Sequence, residues 1–389
     1  MNTPYFLISE SSLKNNINAF KEALNKYWPN SEIAFSIKTN SLPWLLKYFK
    51  EQQIIVEAVS MEEYKLAEMC GFAGKEIVFN GPIKKIDDLE IAFNNGSIIN
   101  LDSQNDLNYL IEKKPYQNGN IGVRVNINTD IFNSEDVGYV EDGFRFGYAY
   151  ENGEFEKVIK TIRKIYGDIR IGLHLHCNSV TRSVDVYRKL SQYAARLISK
   201  YDLKLSFIDI GGGFFGGVEG KPTPEEYIYT ISEELKSIVD INETKLLIEP
   251  GSAIIASVVD LYTSVIDVKQ TTKAHIVTTD GSRIQIDPLW KKQSYLYSIE
   301  IREERPTVNR QIVCGYTCMD HDRIMVVENE KQFNIGDKII YHRVGAYTMT
   351  FGGPFIQYFP DVYVQSGNKI ELVRKRFDEK LYYKIHSNI

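Results

Sequence analysis

The sequence predicts an α/β protein: a (β/α)8 barrel of the TIM type joined to a C-terminal, mostly antiparallel β domain. Three observations carry this. Between about residues 30 and 250 of the 389, short apolar runs alternate with amphipathic stretches, and eight runs in that length is the arithmetic of such a barrel. After Pro250 the texture changes to β-branched and aromatic runs separated by turn residues. An apolar content of 43% is enough to bury a large core, so a disordered or fibrous chain is excluded.

The opening TPYFLIS segment reads as a strand that crosses over to the β domain. The barrel strands follow at 33–37, 54–58, 76–79, 97–101, 121–126, 170–175, 206–210 and 245–248. Between them, apolar residues recur at spacings of three and four over 61–70, 86–93, 155–166, 184–200 and 224–239, which predicts helices. A helical stretch at 253–259 leads into strands at 261–268, 275–278, 311–315, 324–327 and 338–342. The predicted domains are therefore 10–252, the barrel, and 253–389 with the strand at 1–9. There are no repeats and no low-complexity linkers.

Charge and cysteine content narrow the function. Forty-six Lys and Arg against 51 Asp and Glu are spread along the chain, so no basic footprint for nucleic acid exists. Four cysteines in so long a chain make no disulfide framework, which points to a reducing compartment. The N-terminus has no basic leader and no apolar run of membrane length. The expectation is a cytoplasmic protein acting on a small molecule.

In a barrel of this kind chemistry gathers at the C-terminal ends of the strands. Lys38 ends the first in FSIKTN; HLHCNS (174–179) ends the sixth, DIGGGFFGG (209–217) the seventh and EPGS (249–252) the eighth. A lysine at a buried strand end must be paired or lose its proton, and the neutral amine is a nucleophile. Three glycines let the backbone approach a phosphate and aim N–H groups at it. Together they point to pyridoxal 5'-phosphate, which needs a Schiff-base lysine and a phosphate anchor. Glu249 suits the pyridine nitrogen and His176 the ring face. The bland alternatives are a snorkelling lysine, a flexible turn, a rim ion pair and a core histidine. His174 and His176 also share a strand face, as metal ligands do. The other histidines, at 275, 321, 342 and 386, lie outside the predicted barrel and no carboxylate set is evident, so no metal is expected.

With these residues assembled, the chain resembles the fold-type III pyridoxal-phosphate decarboxylases, the group of diaminopimelate, ornithine and arginine decarboxylases, whose barrel is alanine-racemase-like. IAFSIKTN resembles the Schiff-base strand, with Lys38 carrying the cofactor. HLHCNS is similar to H-x-G-S, which implies His176 on the ring and Ser179 near the phosphate. DIGGGF matches the phosphate loop at Gly211, Gly212 and Gly213, and EPG matches the segment of Glu249 and Gly251. Arg124 in RVN and the RFG at 145–147 have family counterparts. In the β domain CGYTCMDHD (314–322) resembles G-P-x-C-[DE]-x-x-D, which a partner subunit inserts into the site; Cys318 then returns a proton to the α-carbon. GAYT (345–348) implies Tyr347 at the phosphate. The resemblance thus implies a homodimer with shared active sites.

Departures cluster where such enzymes read their substrates. Ser252 replaces the arginine of E-P-G-R, and Met319 replaces the acidic residue after the cysteine, beside Asp322. Asn178 replaces the glycine of H-x-G-S, and Glu57 stands where aspartate is common. DPLW (287–290) resembles diaminopimelate decarboxylase, but Asp287 sits where that enzyme has an arginine. The reading is a decarboxylase that removes the α-carboxylate of an amino acid or amino-acid conjugate in a specialised pathway, such as siderophore, antibiotic or polyamine-like synthesis, with a carrier protein as an allowed partner. The alternatives are diaminopimelate decarboxylase of lysine biosynthesis, an amino-acid racemase, and a non-catalytic relative that binds the cofactor. Glu249 speaks against the racemase, which usually places arginine at the pyridine nitrogen.

Overall fold

The computed structural model describes residues 1–116 and 118–387. They form two compact units, one of Asn16–Ala253 and one of Met1–Asn15 with Ile254–Ile389. The chain opens with β1 (Tyr5–Ser9) and α1 (Glu10–Tyr27) and continues with β2 (Ser31–Ser36), α2 (Pro43–Glu51), β3 (Ile55–Ala58), α3 (Met61–Met69), β4 (Ile77–Phe79), α4 (Ile86–Asn94), β5 (Ile98–Leu101) and α5 (Gln104–Lys113). Then come β6 (Ile121–Asn126), β7 (Tyr148–Ala149), α6 (Glu154–Tyr166), β8 (Ile171–His174), α7 (Val184–Tyr201), β9 (Leu205–Asp209), α8 (Pro224–Leu235) and β10 (Lys245–Ile248).

Strands β2 to β6 and β8 to β10 pair in parallel, and the β2–β10 and β5–β6 pairings close them into an eight-stranded barrel. The short β7 adds alongside β6. The helices begin where capping residues satisfy their first N–H groups: Ser60 accepts from Glu63, and Ser103 with Asp106 and Thr223 with Glu226 form reciprocal caps. The barrel interior is apolar at Ala34, Ile55, Val78, Phe207 and Leu247. Phe207 crosses that interior because Gly122 and Gly172 leave room for it; a Cβ on Gly172 would lie 1.9 Å from its ring. Above this layer the strand ends turn polar, which sets the site at the C-terminal mouth.

The other unit holds β11 (Val259–Gln270), β12 (His275–Thr279), β13 (Tyr297–Glu300), β14 (Thr307–Cys314), β15 (Arg323–Lys331), β16 (Lys338–Tyr341), β17 (Asp361–Ser366) and β18 (Lys369–Arg374). Their order is β15-β14-β12-β11-β1-β17-β18, with β16 pairing both β11 and β13. Within this unit only β1–β17 and β12–β14 are parallel among the described pairings. The opening strand does cross over: Tyr5 faces Tyr262 in an antiparallel pair. The helix expected at 253–259 is shorter, running over Gly251–Ile255 and tightening into a 3-10 turn at Ala256–Val258 before the strand starts at Val259. The β-branched pair Val258 and Val259 favours the extended chain there. Among the described residues no helix is long and apolar enough to cross a membrane.

Candidate active site

Each of the eight barrel strands delivers a polar side chain to its C-terminal end. Lys38 follows β2, Glu57 lies in β3, Asn80 follows β4, Asn100 lies in β5, Arg124 in β6, His174 ends β8, Asp209 ends β9 and Glu249 follows β10. Except for Lys38, all of these are buried. Buried polar groups need partners, and Glu57, Asn80, Asn100, Asp209 and Glu249 find one another across the barrel.

Lys38 Nζ donates to Glu57 Oε2 at 2.6 Å; the lysine side chain is 41% exposed while Glu57 is 1% exposed. The amine therefore reaches an open mouth from a buried anchor. Asn80 Nδ2 donates to Glu57 Oε1 at 3.3 Å and to Glu249 Oε1 at 2.5 Å, and its Oδ1 accepts from Asn100 Nδ2 at 2.8 Å. Asn100 Nδ2 also donates to Asp209 Oδ2 at 3.0 Å. Asp209 Oδ1 accepts from the Gly211 N–H at 2.9 Å, which ties this polar layer to the glycine loop.

Glu249 and Asp209 are hydrogen-bonded to each other. Burial, then the charges of Asp209 and Glu57, raise the Glu249 pKa well above the ordinary glutamate value. The side-chain hydrogen bond between Glu249 and Asp209 links the two carboxyls at the floor of the mouth. Burial, then the charge of Arg124, pulls the His174 pKa far down, and neither ring nitrogen has a hydrogen-bond partner among the described residues. Burial likewise lowers His176, helped by Arg124 and Lys38, so both imidazoles are neutral.

The sequence expectation that no carboxylates complete a set with His174 is corrected here: ligand atoms of His174, Asp209 and Glu249 lie within 4.8 Å of one another. They come from strands far apart in sequence, which linear inspection does not bring together. Both carboxyls are engaged by each other, the two asparagines and the Gly211 N–H.

The glycine loop packs too tightly for side chains. A Cβ on Gly211 (φ +66°) would lie 2.7 Å from His176 Nδ1, and one on Gly212 would lie 2.4 Å from the Glu249 carbonyl oxygen. The Gly212 N–H points to His176 Nδ1 at 3.4 Å. Gly251 meets the same constraint, since its Cβ would lie 2.2 Å from Thr39 Oγ1. Ser179 Oγ accepts from the Arg182 N–H at 2.8 Å. Arg124 Nη1 donates to Asp102 Oδ2 at 2.8 Å, and its guanidinium lies 4.7 Å from the Phe146 ring centre. Arg124, His176 and Asn178 line a cleft of about 660 Å³ with Tyr139, Asp142, Phe144, Arg145 and Phe146.

Lys38, Glu57, Arg124, His176, Ser179, the three glycines, Glu249, Gly251 and Ser252 thus all belong to the barrel unit. Cys318, Met319, Asp322, Asp287 and Tyr347 belong to the other unit. There Cys318 is exposed, Met319 is half-buried, and Tyr347 takes a left-handed backbone (φ +68°). Asp322 accepts from Ser282 Oγ, Thr317 Oγ1 and the Arg283 N–H, and Asp287 from the Lys292 N–H at 2.8 Å and Arg283 Nη2 at 3.4 Å. Both carboxylates stabilise their own loops. Asn80, Asn100, Asp102 and Asp209 escaped the sequence reading; the one signal for them is a polar residue closing an apolar run.

The donor set fits pyridoxal 5'-phosphate: an amine at the mouth, a buried carboxyl whose pKa is raised, and a glycine loop where Gly211 and Gly212 leave no space for Cβ atoms. Comparison with known proteins agrees. Residues 10–256 match the family described as "Pyridoxal-dependent decarboxylase, pyridoxal binding domain". A probable chloroplastic diaminopimelate decarboxylase of Oryza sativa subsp. japonica is 24% identical, over 100% of this chain and 80% of the relative. The diaminopimelate decarboxylase of Archaeoglobus fulgidus is 25% identical, over 89% of this chain and 83% of its own length. In fold, the crystal structure of diaminopimelate decarboxylase from Helicobacter pylori complexed with L-lysine superposes with a TM-score of 0.83, at 21% identity over 99% of this chain and 97% of the other. The arginine decarboxylase of Paramecium bursaria Chlorella virus bound to agmatine gives 0.77, at 20% identity over 94% and 96%. With the family match spanning the whole barrel and its polar mouth, the chain belongs to the pyridoxal-dependent decarboxylases, fold-type III carboxy-lyases that act on amino acids with pyridoxal 5'-phosphate as cofactor.

Proposed function

We propose that the enzyme removes one α-carboxylate of diaminopimelate or a close diamino-acid analogue. The observation that carries the reaction type is the buried Glu249 carboxyl, bound by Asn80, at the same barrel mouth as the Lys38–Glu57 pair. The substrate rests on relatives named diaminopimelate decarboxylase that span 89–100% of this chain, which support it ahead of a specialised-pathway substrate. Ser252, Met319 and Asp287 favour the second reading, an altered side-chain specificity, because none of them supplies a cation to a distal carboxylate.

Bound pyridoxal 5'-phosphate supplies a conjugated ring that accepts the electron pair left by the departing carboxylate. Lys38 would hold the cofactor through its amine, which Glu57 keeps at the mouth. Glu249, its carboxyl fixed by Asn80 and Asp209, would bind the pyridine nitrogen and keep it protonated. His176, neutral, covers the ring face without competing for that proton. The glycine loop and Ser179 take the phosphate. Cys318 of a second subunit returns a proton to the α-carbon, with Tyr347 at the phosphate, so the working unit is a homodimer. Carbon dioxide release from diaminopimelate, ornithine, arginine and lysine, with Lys38→Ala as the blank, tests the reading. Release from diaminopimelate is expected; release from another amino acid alone overturns the substrate and leaves the reaction type standing.

A further inference from the structure

We propose that Arg182 supplies the positive charge of the cofactor's phosphate site, in place of the cation absent at Ser252. This rests on the pyridoxal-phosphate reading of the site. A phosphate carries nearly two negative charges, and a glycine loop offers N–H groups but no full charge. Two cations of the barrel mouth are already spoken for, Lys38 by Glu57 and Arg124 by Asp102. The Arg182 guanidinium, among the described residues, meets Ser252 Oγ and the Phe215 ring, neither of them an anion. Its Nη1 lies 3.4 Å from Ser252 Oγ, a long contact readily exchanged for a charged oxygen, and its guanidinium lies 5.3 Å from the centre of the Phe215 ring, two residues beyond Gly213.

The backbone holds that side chain over the loop. Arg182 has a left-handed conformation (φ +53°), which non-glycine residues adopt at a cost and keep only where the surroundings impose it. Here Ser179 Oγ accepts its N–H, and Tyr227 donates its hydroxyl to its carbonyl at 2.6 Å. The same Tyr227 oxygen accepts from the Phe215 N–H at 3.4 Å, and Tyr187 donates to the Gly212 carbonyl at 2.9 Å. Tyr227 of α8 thus binds the loop after β8 to the loop after β9, and Tyr187 of α7 anchors the latter. The guanidinium is carried with them to the residue 252 side of the glycines.

Affinity separates this role from a merely structural one, because pyridoxal is pyridoxal 5'-phosphate without the phosphate. In titrations of the full-length protein followed by cofactor absorbance, Arg182→Ala should weaken pyridoxal 5'-phosphate by about ten- to a hundredfold, the range for losing a charged hydrogen-bond partner. Pyridoxal binding should stay unchanged, and inorganic phosphate should lose its ability to compete. Lys221, whose Nζ lies 5.4 Å from the same ring but which is exposed, is the control: Lys221→Ala should bind as the wild type does. Adding Ser252→Arg to Arg182→Ala should recover affinity for the phosphorylated form alone, which also guards against a folding defect. Equal losses for pyridoxal and its phosphate, or an equal loss in Lys221→Ala, would overturn the assignment while the cofactor reading stood. A wild-type protein that bound neither would overturn both.

Discussion

At the scale of single residues the site turns on where protons rest. Glu249 is buried against Asp209 and Glu57, and burial first, then their charges, hold its folded pKa well above the ordinary 4.5. Below that value both folded and unfolded chains are protonated and the group adds no pH dependence. Above it the folded protein keeps a proton that the unfolded chain has released, so stability falls as pH rises toward the folded pKa, by at most about 1.4 kcal/mol per pH unit for one proton. Glu249→Gln keeps the shape and still donates to Asp209 but cannot ionise. Melting of the cofactor-free protein across about pH 5 to 8 should show a flatter profile in the variant than in the wild type. Parallel profiles would mean that Glu249 is already charged in the fold. Lys38, Glu249 and the glycines were legible in the sequence because each is chemically odd at a strand end. Asp209, Asn80 and Asn100 were not, since their meaning lies in partners as distant as the 169 residues between Asn80 and Glu249.

Among elements, the barrel strands are the part of the fold that the sequence declares. Strands buried on both faces read as continuous apolar runs, and helices in the surrounding ring carry one apolar face. What the runs conceal is how they fit inside. Phe207 on β9 fills the interior only because β6 and β8 present Gly122 and Gly172 there. Gly172→Ala puts a methyl group 1.9 Å from the ring, and a parallel strand cannot retreat without breaking its ladder on both sides. The expected cost is about 1–3 kcal/mol in chemical denaturation, and Phe207→Leu in the same chain should return much of it. Additive losses in the double variant would show that the two positions do not share a space. The outer elements were harder to see. Helices α1, α2 and α5 and strands β13, β17 and β18 were not singled out, and the exposed faces of β18 leave its run KIELVR without a clean alternation.

For the molecule as a whole, the testable question is whether the Cys318 thiol of the β unit takes part in the chemistry of Lys38 in the barrel unit. Cys318 is exposed, as a residue delivered to another subunit must be before assembly. If a second subunit contributes it, Lys38→Ala and Cys318→Ala homodimers each lack one member of every site and should both be severely impaired. Mixed under conditions of subunit exchange, about half the dimers become hybrids, and in each hybrid one of the two sites has both residues intact. About a quarter of wild-type activity should therefore return, and light scattering on the mixture checks that dimers persist. The same count fixes the negative outcome. With Cys318 serving its own chain's Lys38, every site in every hybrid would still lack one residue, and exchange demonstrated by differential tagging would restore nothing.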